Sequence, residues 1–197
     1  MILRVTKYGE PILLKKGVTV KYFNKELEQL ANDKIETMYA NEGVGLAAQQ
    51  VDQGKMICVV DLRFPSDDEN ADEPFTFDDK SPPLELIMPL ILVNPKVTAL
   101  PGESSIYEEG CLSFPEIKGG VIRPNNVEVK FQDLKGGYHK IQSSRFLGRV
   151  IQHEVDHLHG ILFIDRMDKK TIDALTPELK KLKRQSRRFL NQKRKTL

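Results

Sequence analysis

The chain of 197 residues contains no tryptophan and only two cysteines, Cys58 and Cys111. A disulfide framework is therefore excluded as the main source of stability, and both thiols stay free for metal or redox chemistry. Apolar runs long enough to cross a membrane are also missing, because Glu85 and Pro89 interrupt the stretch LELIMPLILV. With 40% hydrophobic and 29% charged residues, the composition is typical of a globular protein with one core.

The first residues, MILRVTKYGEPILLKKG, lack the continuous apolar segment and the small-residue cleavage site that define a secretory signal. We therefore expect a cytoplasmic location. The alternative location is an organelle, if a presequence was removed.

Net positive charge is confined to the end of the chain. From Lys169 onward, eleven Lys and Arg residues stand against Asp173 and Glu178, so this tail carries +9 and residues 1–168 carry about −7. An acidic body with a basic tail favours a polyanionic partner for the tail. The alternative is a solvated helix face that binds nothing.

Three segments have the apolar periodicity of amphipathic helices. Residues 24–40, NKELEQLANDKIETMYA, follow an asparagine cap. SSRFLGRVIQHEVDHLHG predicts a helix that begins near Ser143 or Ser144 and ends at Gly160. The tail predicts another helix from about Thr171, with leucines on one side and cations on the other.

Strands are predicted where β-branched and apolar residues cluster. MICVVDL and LILVNPKV have this composition, and NNVEVKFQ and YHKIQSS flank DLKGG as a hairpin would. The segment FPSDDENADEPFTFDDKSPP is acidic and contains proline, so we predict a solvent-exposed loop there.

The stretch QHEVDHLHG contains two histidines at helical spacing. At 100° per residue, His153 and His157 lie about 40° apart on the helix, so both imidazoles can reach one ion. Glu154 lies about 60° beyond His157, close enough to touch a water without being a ligand. This geometry is typical of metal-assisted hydrolysis, in which the ion acidifies a water and a carboxylate takes its proton. Phe146 and Val150 project to the same side and could wall an apolar pocket. The opposite flank should lie in the core: Leu147, Ile151, Val155 and Leu158.

The helix motif does not identify the third metal ligand. Some metalloproteases add a histidine six residues after the second one, but Phe163 occupies that position. Glu178 and His139 are both possible by spacing. Cys111, in EEGCLSFP, is favoured because a thiolate binds divalent metals tightly and Gly110 allows a sharp approach of the backbone. We expect this stretch to be a loop.

A third stretch, GVGLAAQQ, has small residues that let the backbone approach a ligand closely. Taken in order, GVGLAAQQ, EGCLS and QHEVDHL resemble the three signature motifs of the peptide deformylases, and YGEPILLKKG resembles their amino-terminal segment. The resemblance implies an α+β fold with antiparallel β-sheets around a central metal-binding helix, and a C-terminal helix. Residues 1–168 would form the catalytic domain, and residues 169–197 would be a basic helix of the same domain.

The resemblance also implies the metal centre. Cys111, His153 and His157 would hold one divalent ion, Fe²⁺ natively, with Zn²⁺, Ni²⁺ or Co²⁺ as alternatives. Glu154 would be the general base.

Further site residues are implied in the same way. The Gln50 amide and the Leu112 backbone N–H would stabilise an oxyanion, and Gly45 would hydrogen-bond the substrate. Glu109 is expected to pair with Arg123 and so to brace the cysteine. The methionine pocket is expected to be lined by four side chains: Val44, Tyr107, Phe146 and Val150.

The implied activity is removal of the N-formyl group from the N-terminal methionine of new proteins, with release of formate. The expected partners are N-formylmethionyl nascent peptides and, through the basic tail, the ribosome, whereas no membrane and no DNA partner is expected. Three features depart from the family pattern. Gln49 stands where proline is usual, Arg149 faces near the pocket where an aliphatic residue is common, and the acidic loop at residues 64–82 is longer than expected.

Two alternatives stay open. A zinc endopeptidase would use Glu178 or His139 as its third ligand. A non-catalytic protein would use the metal only to brace the fold, while its tail binds RNA.

Overall fold

The computed structural model describes residues 1–63 and 75–196. Within these residues the strands are β1 (Gly45–Ala47), β2 (Ile57–Val60), β3 (Phe75–Phe77), β4 (Leu90–Ala99), β5 (Ser104–Cys111), β6 (Phe114–Pro124), β7 (Asn126–Gln132) and β8 (Tyr138–Ser144). The helices are α1 (Lys25–Ala40), α2 (Arg145–Leu158) and α3 (Lys169–Thr196).

The strands form two antiparallel sheets. Six of them pair in the order β1-β2-β4-β7-β8-β3, while β5 and β6 form a separate two-stranded ribbon. The predicted hairpin is present as β7 and β8, joined in register from the pair Asn126–Ser144 to the pair Gln132–Tyr138. The prediction of an α+β fold with antiparallel sheets is confirmed.

Helix α2 lies between the large sheet and the ribbon, and every residue from Leu147 to Leu158 is buried. Its apolar flank packs with side chains of β2, β4, β7 and β8, and that flank is the predicted one: Leu147, Ile151, Val155 and Leu158. Ser144 precedes the first helical residue, as predicted. Gly160 has φ +74°, a left-handed conformation that glycine adopts without strain and that stops the helix.

Helix α1 begins where the sequence predicts. The Asn24 side chain accepts a hydrogen bond from the backbone N–H of Leu27 at 3.1 Å, which satisfies one of the free donors of the first turn. Leu27, Ala31 and Met38 are buried against β1, β2 and β4. The helix therefore covers the sheet face away from α2.

Two predictions about loops were wrong. Phe75–Phe77 lies in the predicted acidic loop but forms β3, because its side chains alternate and Phe77 packs edge-on against Phe131 at 6.2 Å. Residues 64–74 of that loop lie outside the described residues. Cys111 was also placed in a loop, whereas it is the last residue of β5.

Helix α3 begins at Lys169, two residues before the predicted start. Leu179 and Leu182 are buried in a cluster with Phe114 and Phe163, and the lysines and arginines from 180 to 193 are exposed. In the part of the chain that the structure describes, no helix is long and apolar enough to span a membrane.

Candidate active site

Cys111, His153 and His157 meet at the inner end of the ribbon. One ligand atom from each lies within 4.8 Å of the other two, and the Cys111 Sγ to His157 Nε2 distance is 3.3 Å. Two ligands of a tetrahedral ion, with metal bonds of about 2.3 Å to sulfur and about 2.1 Å to nitrogen, would lie about 3.6 Å apart. A thiolate with two imidazoles also suits borderline-soft divalent metals. The three residues could therefore hold one such ion.

His153 is oriented by a carboxylate behind it. Its Nδ1 lies 2.9 Å from Glu109 Oε2, which leaves Nε2 for the side where Cys111 and His157 lie. Metal-ligating histidines are commonly held by a carboxylate on the other ring nitrogen. The second imidazole has no such support, because His157 Nδ1 is buried without a hydrogen-bond partner among the described residues. Burial lowers the pKa of His157 well below its usual value, which favours the neutral, ligating form.

Glu109 belongs to a buried ion network. Arg123 donates to both of its carboxylate oxygens, at 2.7 and 2.9 Å, and contacts Asp156 at 2.7 Å. Arg166 reaches the same Asp156 from the surface at 2.6 Å. Burial alone would raise the pKa of Glu109, but the bonds with His153 and Arg123 lower it well below its usual range. The expected Glu109–Arg123 ion pair is thus present.

Arg149, one of the departures from the family pattern, is also part of this network. Its side chain is buried and donates to Glu109 Oε1 at 2.9 Å and to the Val121 carbonyl at 3.1 Å. It further donates to the carbonyl and hydroxyl of Ser105 at 3.0 and 3.1 Å. The guanidinium therefore ties α2 to both strands of the ribbon. The sequence analysis did not assign it this role.

Glu154 faces β1 across a very short gap. A Cβ on Gly45 would collide with the Glu154 carboxyl group, so only glycine allows this approach. Glu154 Oε2 is buried without a hydrogen-bond partner among the described residues. Burial raises the pKa of Glu154 to about 7, against the lowering effect of His153 and Lys34.

The Gln50 amide is fixed at one end. Its Oε1 accepts the Ala47 backbone N–H at 2.7 Å, and its Nε2 lies 3.3 Å from Cys111 Sγ. The amide donors therefore point towards the cysteine. The other departure, Gln49, is buried beside it and donates to the Leu158 carbonyl at 3.3 Å.

Lys7 is a site residue that the sequence analysis missed. Its ammonium donates to the Leu112 carbonyl at 2.7 Å, and the next backbone N–H, of Ser113, lies 3.4 Å from Cys111 Sγ. Burial lowers the pKa of Lys7, and the nearby Cys111 opposes this effect. No motif marks Lys7 in the sequence, since it lies in the amino-terminal segment, far from all three signature stretches.

These groups surround one cavity of about 790 Å³. It is lined by most of the predicted site residues: Val44, Gly45, Gln50, Tyr107, Glu109, Cys111, Leu112, Phe146, Val150, His153 and Glu154. Two predicted site residues do not line the cavity. Arg123 donates a hydrogen bond to Glu109, which does line it, and His157 contacts Cys111 Sγ.

The two alternative third ligands lie elsewhere. His139 contacts Asp78 at 2.7 Å and Asp133 at 3.5 Å in the β7–β8 hairpin. Glu178 is exposed on α3. Among the described residues, only Cys111 joins the two histidines in a group that could hold a metal ion.

An antiparallel α+β fold with a Cys–His–His group beside a buried carboxylate is suited to the class of metal-assisted hydrolases. The family model of polypeptide deformylases matches residues 2–172. The chain belongs to the polypeptide deformylase family and is an enzyme of that family.

Individual relatives agree with this assignment. The chain is 47% identical over 186 residues to the peptide deformylase of Opitutus terrae, covering 92% of this chain and 93% of that protein. A crystal structure of peptide deformylase from Thermotoga maritima has a TM-score of 0.71 at 33% identity and covers 85% of this chain and 99% of that one. The Plasmodium falciparum peptide deformylase has a TM-score of 0.78 at 31% identity, covering 93% and 96%.

Proposed function

We propose that this enzyme removes the N-formyl group from the N-terminal methionine of newly synthesised proteins by metal-dependent hydrolysis, releasing formate. The observation that carries the proposal is that a group of possible metal ligands and a carboxylate lie next to each other at one cavity. The Cys111, His153 and His157 ligand atoms lie within 4.8 Å of one another, and the Glu154 carboxylate lies beside them, against Gly45.

Cys111, His153 and His157 would hold the ion, with Fe²⁺ as the native metal and Zn²⁺, Ni²⁺ or Co²⁺ as replacements. When bound, the ion supplies a Lewis acid that polarises the formyl carbonyl and acidifies water. Glu109 holds the His153 ring in the ligating orientation, and Arg123 keeps that carboxylate charged. Glu109 and Arg123 would therefore support metal binding by fixing the orientation of His153.

Glu154 is the general base in this proposal. Its carboxylate would take a proton from the water that attacks the formyl carbon and would pass that proton to the leaving amine nitrogen. Two observations support this role: Glu154 is next to His153 on α2, and Gly45 leaves room for its carboxyl group at the cavity wall. Among the residues that the structure describes, no group hydrogen-bonds to Glu154 Oε2, so this oxygen could accept the proton.

Gln50 and Leu112 would stabilise the negative charge on the formyl oxygen. The Gln50 Nε2 group is held near Cys111 because its carbonyl end is bound to Ala47. The Leu112 N–H follows Cys111 directly in the chain, and Lys7 restrains the carbonyl of the same residue. Fixed donors of this kind are worth about 3 to 4 kcal/mol of transition-state stabilisation each.

The methionine side chain would lie between α2 and the ribbon. Phe146 and Val150 supply the helix side, Tyr107 supplies the ribbon side, and Val44 closes the end next to β1. Gly45 would hydrogen-bond the substrate backbone. Because one methylene group changes binding by about 1 to 3 kcal/mol, such a pocket would prefer methionine without excluding other apolar residues.

The enzyme would act in the cytoplasm, and its tail would bring it to nascent chains. The lysines and arginines of α3 between residues 180 and 193 are exposed, whereas Leu179 and Leu182 are buried, and this concentration of positive charge would suit ribosomal RNA. Lost affinity in high salt is the expected signature of this contact. Cosedimentation that is absent, insensitive to salt or unchanged after deletion of residues 169–197 would contradict it.

The deciding experiment combines metal analysis with a formate assay under reducing, oxygen-free conditions. The wild-type protein should contain one divalent ion per chain and release formate from formyl-Met peptides. Cys111→Ser should lose both properties, whereas Cys58→Ala removes the buried core thiol and should lose neither. X-ray absorption should detect one sulfur neighbour of the ion.

Each alternative has its own outcome. Metal retained at wild-type level in Cys111→Ser would favour an endopeptidase with another ligand. An activity that survives in Glu154→Ala would favour a non-catalytic role of the site. No formate release with iron, nickel or cobalt would reject the proposed function.

A further inference from the structure

Two N–H groups hydrogen-bond to the sulfur of Cys111, one of the three proposed metal ligands. Gln50 Nε2 lies 3.3 Å from Sγ, and the backbone nitrogen of Ser113 lies 3.4 Å from it. Hydrogen bonds of this kind draw charge away from a thiolate, and they tune a metal site without supplying a ligand. The strength of these two bonds would therefore affect the chemistry at the ion.

The amino-terminal segment holds both donor residues in place. The backbone N–H of Thr6, which is fully buried, donates to the Gln50 carbonyl at 2.8 Å. The backbone N–H of Tyr8 donates to the Ser113 carbonyl at 2.9 Å. Lys7 lies between Thr6 and Tyr8 in the chain, so its backbone is fixed between the two donor residues.

The Lys7 side chain is bonded to the peptide group that carries the second donor. Its ammonium donates to the Leu112 carbonyl at 2.7 Å, and this is the only hydrogen bond of the ammonium among the described residues. The Leu112 carbonyl and the Ser113 N–H belong to one peptide group. Because a cation on the oxygen polarises that group, it makes the N–H a stronger donor to Cys111 Sγ.

No carboxylate draws Lys7 away from this carbonyl. Glu10 is the acidic residue nearest to it in the sequence, but Arg4 donates to both Glu10 oxygens, at 2.8 and 2.6 Å. Within the described part of the chain, Lys7 forms no ion pair with an acidic side chain. Burial lowers the pKa of Lys7, and among the nearby charges Cys111 opposes this effect most. The charge of Lys7 is therefore directed at residues 111–113.

We propose that Lys7 is a positioning residue of the metal centre, which strengthens the Ser113 N–H···Sγ bond through the Leu112 carbonyl and so lowers the negative charge on the Cys111 sulfur. This inference rests on the proposed function. A less charged sulfur leaves more of the positive charge of a bound ion for polarising the formyl carbonyl. Lys7 would therefore act on catalysis without touching the substrate.

Two spectra of Lys7→Met test the inference. In the zinc-loaded protein, the amide proton resonance of Ser113 should move to lower frequency than in wild type, because a weaker hydrogen bond deshields the proton less. In the cobalt-loaded protein, the sulfur-to-cobalt charge-transfer band should move to longer wavelength, because the sulfur electrons are held less tightly. Neither spectrum depends on enzymatic activity.

Kinetics with a formyl-Met peptide separate this role from substrate binding, since Lys7 also lines the cavity. In Lys7→Met, kcat should fall by about tenfold or more, while KM stays at the wild-type value. A raised KM with unchanged kcat would mean that the ammonium binds the substrate directly, which contradicts the inference.

Two further variants complete the test. Lys7→Arg keeps a cationic donor for the Leu112 carbonyl, so both spectra and kcat should return towards the wild-type values. Arg4→Met is the matched control, because it breaks the ion pair with Glu10 in the same segment but keeps the Lys7 ammonium. It should lower the stability of the fold without moving either spectrum.

If Lys7 only anchors the amino-terminal segment, Lys7→Met will lose stability while the Ser113 resonance and the charge-transfer band keep their wild-type positions. That result would overturn the inference. Failure of the proposed function is a different result, because wild type would then release no formate, whereas the Ser113 resonance would still report whether Lys7 acts on this peptide group.

Discussion

Helices α2 and α3 are both amphipathic, but they use their polar residues in opposite ways. In α2 the polar side chains Arg149, His153 and Glu154 are buried and face one cavity. In α3 the charged side chains from Lys169 to Lys193 are exposed, and Leu179 and Leu182 supply the buried contact with the body. Buried polar groups need fixed partners and therefore specify geometry, whereas exposed charges mainly set a surface potential. Changes in α2 should alter chemistry, and changes in α3 should alter association.

The largest effect is expected for Glu154→Gln. The amide cannot accept the proton, so kcat/KM for formyl-Met peptides should fall by about 10²- to 10⁴-fold. The metal content should stay at the wild-type level, because Glu154 is not a ligand. Formate release and metal analysis on the same sample measure both. A loss below tenfold would remove Glu154 from the proton-transfer step.

Gln50→Ala is expected to cost about 10²- to 10³-fold in kcat, because one oxyanion donor is lost. Gln49→Ala is the matched control, since its amide is equally buried but donates to the Leu158 carbonyl. Equal losses in kcat for the two variants would mean that Gln50 contributes through packing alone.

Arg123→Met tests the buried network behind α2. It leaves Glu109 and Asp156 without their shared cation, so the free energy of unfolding should fall by about 3 to 5 kcal/mol. The metal should also dissociate about 10- to 100-fold more readily, because the support of His153 is weakened. Urea unfolding and chelator competition measure these quantities.

Arg166→Met is the exposed counterpart, because its side chain is 40% exposed and contacts the same Asp156. It should cost about 1 kcal/mol or less. A cost equal to that of Arg123→Met would show that burial does not decide the strength of this network.

In α3, replacing Lys170, Lys180 and Lys181 by glutamate should weaken ribosome cosedimentation strongly at low salt. The kcat/KM for a short formyl peptide should stay unchanged, because these side chains are exposed and do not line the cavity. Leu182→Ala, on the buried side of the same helix, should instead destabilise the fold by about 2 to 4 kcal/mol. A drop in peptide activity in the lysine variant would show that α3 also affects catalysis, against the division of roles between the two helices.

The smallest effect is expected at His139, a partly exposed group on the β7–β8 hairpin. Burial by itself would lower the pKa of His139. The hydrogen bonds with Asp78 and Asp133 outweigh burial and raise this pKa above the ordinary 6.5. A raised folded-state pKa stabilises the fold below pH 6.5, and this contribution is lost as the pH rises through the folded-state value.

His139→Gln should therefore lower the free energy of unfolding more at pH 5 than at pH 8.5, by under about 1 kcal/mol because solvent screens the pair. Urea titrations at the two pH values measure the difference. The opposite order would mean that the imidazole is preferred neutral in the folded protein.

The predictability of the site differed between its parts. The spacing of His153, Glu154 and His157 gave their common helix face, because the helical period alone decides it. The choice of Cys111 as the proposed third ligand needed a resemblance across three separated stretches, since Cys111 lies 42 residues before His153 in the chain. Lys7 carried no signal, because its contact with Leu112 depends on the path of the amino-terminal segment over the ribbon.

The fold showed the same division. Helices α1 and α2 were predicted with their caps, since the apolar stripe and the flanking Asn24, Ser144 and Gly160 are local signals. Strand β3 was missed because acidic and proline residues around it favour a loop, while its pairing with β8 is a long-range contact. The ribbon strands β5 and β6 were also not predicted as strands.

By itself the sequence determined the helix that carries His153 and His157, the division into acidic body and basic tail, and the side-chain types offered to a metal, because periodicity, charge and side-chain chemistry are local properties. Only the tertiary structure decided that Gly45 lies against Glu154, that Gln50 points at Cys111, and that Arg149 crosses from α2 to the ribbon. Those contacts join residues far apart in the chain, and they exist only once packing of the sheets around α2 has fixed where each backbone segment runs.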